Sequence, residues 1–317
     1  MTQAPFPALS PHSAGPDHAE GRHLPHARRA IANGLLSVGA LLALAGWSGC
    51  GRHPSAQPAA GPPSVHDQLV ELVEAMTPLD KTVTSDISDQ RFLRSQELLG
   101  KLRAGGRDTG LEAMRMLREE PPAGKPRPTD VERALIDVAA HAAPEDARPL
   151  LVSLVTQFGP SLALRTEATL LLGETSPARA LEVLGPIVKN AHPTQTMAPA
   201  EFTLRAFVTA CDKTGRSAVP ELADIATNLY MDETARIRAV KELGHRPEPL
   251  ALQALQAILV ESTGDGYLRR MAAQGLRDSL PKENACEMFQ RVAENEADLN
   301  FLQFLRDMLD KNCSPVK

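Results

Sequence analysis

The chain has 317 residues, 43% of them hydrophobic, only 3% aromatic, and a net charge of −5. Its apolar content is mostly Leu and Ala, which favours helices and excludes sandwiches and barrels built from β-branched and aromatic residues. The acidic balance leaves no electrostatic footprint for binding phosphate backbones, so nucleic acid is not expected as a partner.

Residues 1–49 read as an export signal. Arg28-Arg29 precede an apolar run from Ile31 to Trp47, which ends in Gly46-Trp47-Ser48-Gly49-Cys50. A basic segment, an apolar segment and small residues before a cleavage point are the parts of a secretory signal. Cys50 directly after Ser48-Gly49 resembles the lipobox of bacterial lipoproteins, with Trp47 where that family prefers leucine. The resemblance implies that Cys50 carries lipid and becomes the mature N-terminus. It places the protein on the outer side of a bacterial membrane, inner or outer. An uncleaved anchor helix is the alternative, although Ala30–Gly46 is short against the ~20 residues of a span. Residues 50–66, with Pro54, Pro58, Pro62 and Pro63, read as a semi-extended tether.

Residues 67–120 are expected to form an N-terminal helical cap. Leu69, Leu72, Val73 and Met76 mark one helix; Leu93, Leu98, Leu99 and Leu102 mark a second, ended by Gly105-Gly106. Leu111, Met114, Met116 and Leu117 mark a third. Pro121, Pro122, Pro126 and Pro128 then break the chain.

Residues 129–317 are periodic. Arg165 to Gly173 and Arg236 to Gly244 share R-x-x-A-x-x-x-L-G, and Arg269 to Leu276 repeats it without the glycine. Arg133 and Arg205 fit more loosely. These five anchors are 32, 40, 31 and 33 residues apart, a period of stacked helix pairs. A second amphipathic stretch follows each: Ala147–Phe158, Pro177–Val188, Ala218–Leu229, Pro249–Val260 and Glu283–Val292. Gly173 and Gly244 are expected to end their helices in the left-handed conformation. Acids upstream of the anchors (Asp130, Glu201, Asp232, Asp265) are expected to cap helices or pair with the arginines. A last helix, Ala297 to Lys311, closes the stack.

The pattern resembles HEAT repeats, including the phycobilin-lyase type. The fold expected is therefore all-α: an α-solenoid of stacked antiparallel helix pairs behind the cap. In such families the anchor helix lines the concave face, which implies that Glu167, Lys241 and Gln274 lie near a groove.

No catalytic, metal or cofactor site is legible. Of nine histidines, only His141, His192 and His245 fall in the repeats, and none has a partner at metal-ligand spacing. The His-Glu dipeptides of iron-dependent HEAT-like hydroxylases are missing, as are a phosphate loop and a G-x-S-x-G elbow. Gly105 to Gly110 reads as a turn between helices. Cys211 is expected in the core, and Cys286 and Cys313 as a possible disulfide across the final hairpin, with separate thiols the alternative. The function expected is a lipid-anchored scaffold for a protein or peptide partner. An enzyme or cofactor carrier with a dispersed site, and a passive structural lipoprotein, remain open.

Overall fold

Helix formation begins at a hydrogen-bonded cap. Ser64 Oγ accepts from the Asp67 amide at 3.1 Å, and the Asp67 carboxylate accepts from the Ser64 amide at 3.1 Å. This capping box starts α1 at Val65, two residues before the first helix expected from the apolar period. The computed structural model describes residues 62–78, 85–120, 126–157, 159–190, 198–261 and 266–313, all within one compact unit, Ala60–Lys317. The export signal, Cys50, most of the tether and His192 lie outside the described residues.

The described residues contain helices and no strand. The first helices are α1 (Val65–Met76), α2 (Ser85–Arg103), α3 (Arg107–Arg118), α4 (Thr129–Ala142) and α5 (Pro144–Thr156). Next come α6 (Leu162–Thr175), α7 (Pro177–Asn190), α8 (Ala200–Thr214), α9 (Val219–Thr227) and α10 (Glu233–Leu243). The stack ends with α11 (Pro249–Val260), α12 (Gly266–Ser279), α13 (Lys282–Glu294) and α14 (Leu299–Asn312). Every anchor arginine falls on an even-numbered helix, and every second amphipathic stretch on an odd-numbered one.

Even helices pack side by side in one layer, and most odd helices pack in the other. Ion pairs record the direction. Arg133 and Glu167 join the first halves of α4 and α6 at 2.7 Å, and Arg246 after α10 reaches Asp212 near the end of α8 at 2.9 Å. Even helices therefore run parallel to each other and antiparallel to the odd ones. Four of the five anchor helices pack most extensively on the odd helix that precedes them, whereas α6 packs most extensively on α8. The core is a run of Leu, Ala, Val and Phe between the layers, including Leu172, Leu184, Phe207, Leu255, Leu276 and Phe301.

Two sequence expectations are corrected. Leu93 and Leu111 do not face the core: they are 67% and 39% exposed, whereas Leu98, Leu102 and Met114 are buried as expected and Ala113 joins them. Gly173 lies inside α6, and Gly244 has φ −60°, so neither ends a helix in the left-handed conformation. That role falls to Gly215, with φ 71° at the end of α8. The repeat glycines serve close approach: a Cβ on Gly173 would lie 2.4 Å from the Ala206 carbonyl oxygen, and one on Gly275 2.8 Å from Gly244 Cα.

The capping and pairing expected of the acids upstream of the anchors divide between positions. Asp130 pairs with Arg133 at 3.5 Å as expected. Asp232 caps α10, also as expected, by accepting from the Ala235 amide at 3.1 Å, and Arg236 turns inward. Its Nε donates to the Ala226 carbonyl at 3.3 Å, at the end of α9. One period on, Arg269 Nε donates to the Leu259 carbonyl at 3.1 Å, at the end of α11. These buried arginines cap the preceding helix, where free carbonyls and the dipole favour a cation. Arg165 is buried on α6, whereas Arg133 and Arg205 are exposed. Asp265 lies outside the described residues.

Candidate functional site

The repeat period decides which side chains meet on the even-helix face. With 33 residues between equivalents, Thr234 and Tyr267, Arg238 and Met271, and Lys241 and Gln274 are neighbours on α10 and α12. Together with Glu201 of α8 they border a cleft of about 440 Å³. Its floor includes Ile237, Val240, Gly244 and Gly275. Gly244 and Gly275 let α10 and α12 approach at that point, because neither presents a side chain to the other.

The cleft is mixed in character. Ile237 and Met271 are half-buried, whereas Lys241, His245, Tyr267 and Gln274 are exposed. Arg238 is held by Glu242, and Asp278 by Arg277 at 2.7 Å. A floor of aliphatic and thioether groups under a rim of both charges suits a side chain or short segment with apolar and polar parts.

Lys241 and Gln274 thus share one cleft. Glu167 does not join them. It lines a separate depression of about 220 Å³ with Arg103, Asp130, Arg133 and Asp137. Those charges are satisfied internally: Arg103 meets Asp137 at 2.6 Å and Arg133 meets Glu167 at 2.7 Å.

A polar ladder missed by sequence reading runs along the ends of the even helices. His141 Nδ1 lies 3.1 Å from an Asp137 carboxylate oxygen and 2.9 Å from the Asp137 carbonyl oxygen. Its Nε2 is 3.7 Å from Glu174. Lys213 Nζ donates to the Glu174 carbonyl at 2.7 Å, and Ser279 Oγ to the Gly244 carbonyl at 3.1 Å. The signal was an i, i+4 Asp137–His141 spacing, but its inter-repeat partners are more than 30 residues away. The ladder joins successive repeats, since the His141–Glu174, Lys213–Glu174 and Ser279–Gly244 links each bridge adjacent even helices or their ends.

Cys286 of α13 and Cys313 after α14 form a disulfide with a Cα–Cα distance of 5.7 Å. Cys211 is buried in α8, and burial pushes its thiol up to about 11. Such a thiol stays protonated and unreactive near neutrality. At the far end, Arg269 is enclosed by Glu296 and by the Phe301 ring, whose centroid is 3.9 Å from the guanidinium carbon. The Arg269 hydrogen bond holds the Glu296 carboxyl below its usual range.

Among the described residues no group of three or more His, Cys, Asp or Glu side chains is placed to hold a metal ion. No described helix is long and apolar enough to cross a membrane. Comparison with protein-family models, curated proteins and solved structures returns no match to this chain.

Proposed function

We propose that the protein is a lipid-anchored, extracytoplasmic scaffold with HEAT-like repeats, which binds a protein or peptide partner at the cell envelope. The observation that carries this reading is the cleft of about 440 Å³ lined by repeat-equivalent residues of α10 and α12. In a helical stack each repeat contributes the same positions to a continuous face, a geometry suited to extended partners. The export-signal pattern and Cys50 supply the address, and the Pro-rich tether separates the folded body from the anchor.

Two experiments test the two halves. Metabolic labelling with a fatty-acid probe is expected to mark the native protein and not Cys50→Ala; equal labelling refutes lipid attachment at that residue. A photo-cross-linking amino acid at Gln274, in the cleft, is expected to yield a discrete adduct in the native envelope. The same group at Gln253, exposed on α11, is the comparison. Matching adducts at both positions, or none at Gln274, refute the cleft as the binding surface.

A further inference from the structure

We propose that the edge at which α10, α12 and α14 begin is a docking surface for a cationic amphipathic helix of a partner protein. Isolated exposed apolar residues are ordinary on protein surfaces, but a row of them on one edge is not. Among the described residues eleven large apolar side chains are exposed, and just Leu111 and Leu250 fall at the opposite edge. Three lie in the first half of α2. The other six are Leu162, Leu229, Tyr230, Val260, Tyr267 and Leu299, all at turns that enter even helices.

The C-terminal three turns form the densest part of the row. Tyr230 is 89% exposed, and Asn228 Oδ1 accepts from its amide at 3.0 Å, which orders the turn that presents it. Leu299, 77% exposed, opens α14. Val260, 60% exposed, ends α11 and borders a notch of about 360 Å³ that also includes Val292 and Ala297. Stacked helices lie 8–10 Å apart, so three successive turns span about 20 Å, roughly the length of 13 helical residues. A helix laid along the edge would place apolar side chains at every third or fourth position over Tyr230, the notch and Leu299.

Charge selects the occupant. Glu233, Glu261, Glu294 and Asp298 interleave with the apolar row. Of the nearby cations, Arg269 is paired with Glu296 and Arg291 with Glu287, while Arg270 lies over the Phe304 ring and keeps its charge, so acids still outnumber free cations along the row. An acidic row repels an anionic lipid surface and attracts lysines or arginines flanking an apolar stripe.

The test titrates the full-length protein into a fluorescein-labelled, 14-residue Leu/Lys amphipathic helix and follows anisotropy. A Leu/Glu helix of the same pattern and phosphatidylcholine–phosphatidylglycerol vesicles are the comparison probes. The Leu/Lys helix is expected to bind, and Tyr230→Ser/Val260→Ser/Leu299→Ser to weaken it at least tenfold. Leu111→Ser/Leu250→Ser, at the opposite edge, should leave binding unchanged. Glu233→Gln/Glu261→Gln/Glu294→Gln tests the charge half without touching the apolar row, and should weaken binding severalfold. Binding that survives the triple serine change, a Leu/Glu helix that binds equally well, or no Leu/Lys binding overturns the proposal. Vesicle binding abolished by the same triple change also overturns it, in favour of a lipid surface. None of the substituted residues lines the cleft at Gln274, so failure here leaves the cross-linking result there intact.

Discussion

Replacing Gly173 with alanine tests the geometry of the stack most directly, because two effects of opposite sign compete. In a helix interior, Gly to Ala ordinarily stabilises by about 0.5–1 kcal/mol through backbone entropy. At Gly173 the added Cβ would sit 2.4 Å from the Ala206 carbonyl oxygen and 3.0 Å from its carbon and Cα. Those atoms are backbone of α8, so no side-chain rotation relieves the clash, and α6 must move from α8. Overpacking costs about 1–3 kcal/mol, and a backbone obstacle belongs at the upper end. The expected net loss is about 2 kcal/mol, or about 4–8 °C in Tm for a body of this size. Gly100 is the control, since it lies in α2 with nothing within 4 Å of its Cβ position. Gly100→Ala should stabilise by about 0.5–1 kcal/mol. Urea denaturation of both variants, read as midpoint and slope, gives the comparison. If Gly173→Ala raises the midpoint as Gly100→Ala does, the close approach of α6 and α8 is wrong.

The buried anchors should rank by what they hold. Arg269→Met removes a carbonyl cap, a ring contact and the partner of buried Glu296, at a cost of about 3–5 kcal/mol. Arg236→Met loses a hydrogen bond to the Ala226 carbonyl, about 1–3 kcal/mol. Arg205→Met, at an exposed site, should stay within about 0.5 kcal/mol. Equal losses at all three in urea melts would contradict the capping role. Cys286→Ala/Cys313→Ala opens a link across 27 residues, and loop entropy predicts a loss of about 3.5 kcal/mol. Reducing the denatured native chain should raise its thiol count by two, and no rise would rule out the bond. Acid should weaken the cap. The Arg115 guanidinium, helped by His66, holds Glu112 at about 2 against a usual 4.5. The folded chain binds that proton less tightly than the unfolded one, so the stabilisation is complete above pH 4.5 and is lost as pH falls towards 2. The stability gap between native protein and Glu112→Gln should close over that window, and a pH-independent gap would refute the pairing.

Sequence alone determined the class of fold and its period. Ala168, Ala239 and Ala272 with Leu172, Leu243 and Leu276 repeat at helical spacing, and all six are buried. Such periodicity is local: it follows from which side of a single helix must leave water. The second helix of each pair was legible for the same reason, down to Pro177 and Pro249 as first residues. The reading failed wherever a residue's role depends on a different helix. Gly173 and Gly244 looked like helix ends because glycine commonly serves there, yet Ala206 and Gly275 determine what they do. For Arg236 and Arg269 the sequence offered acids four residues upstream as helix caps or partners, but no carbonyl of another helix. Only packing brought the ends of α9 and α11 within reach of their side chains. Lys241 and Gln274 could be foreseen as neighbours from the period, but not that Glu167 lines a different depression. The row of exposed Leu, Tyr and Val side chains had no signature in the sequence. Its members are isolated residues at successive turns, and antiparallel stacking alone aligns them on one edge.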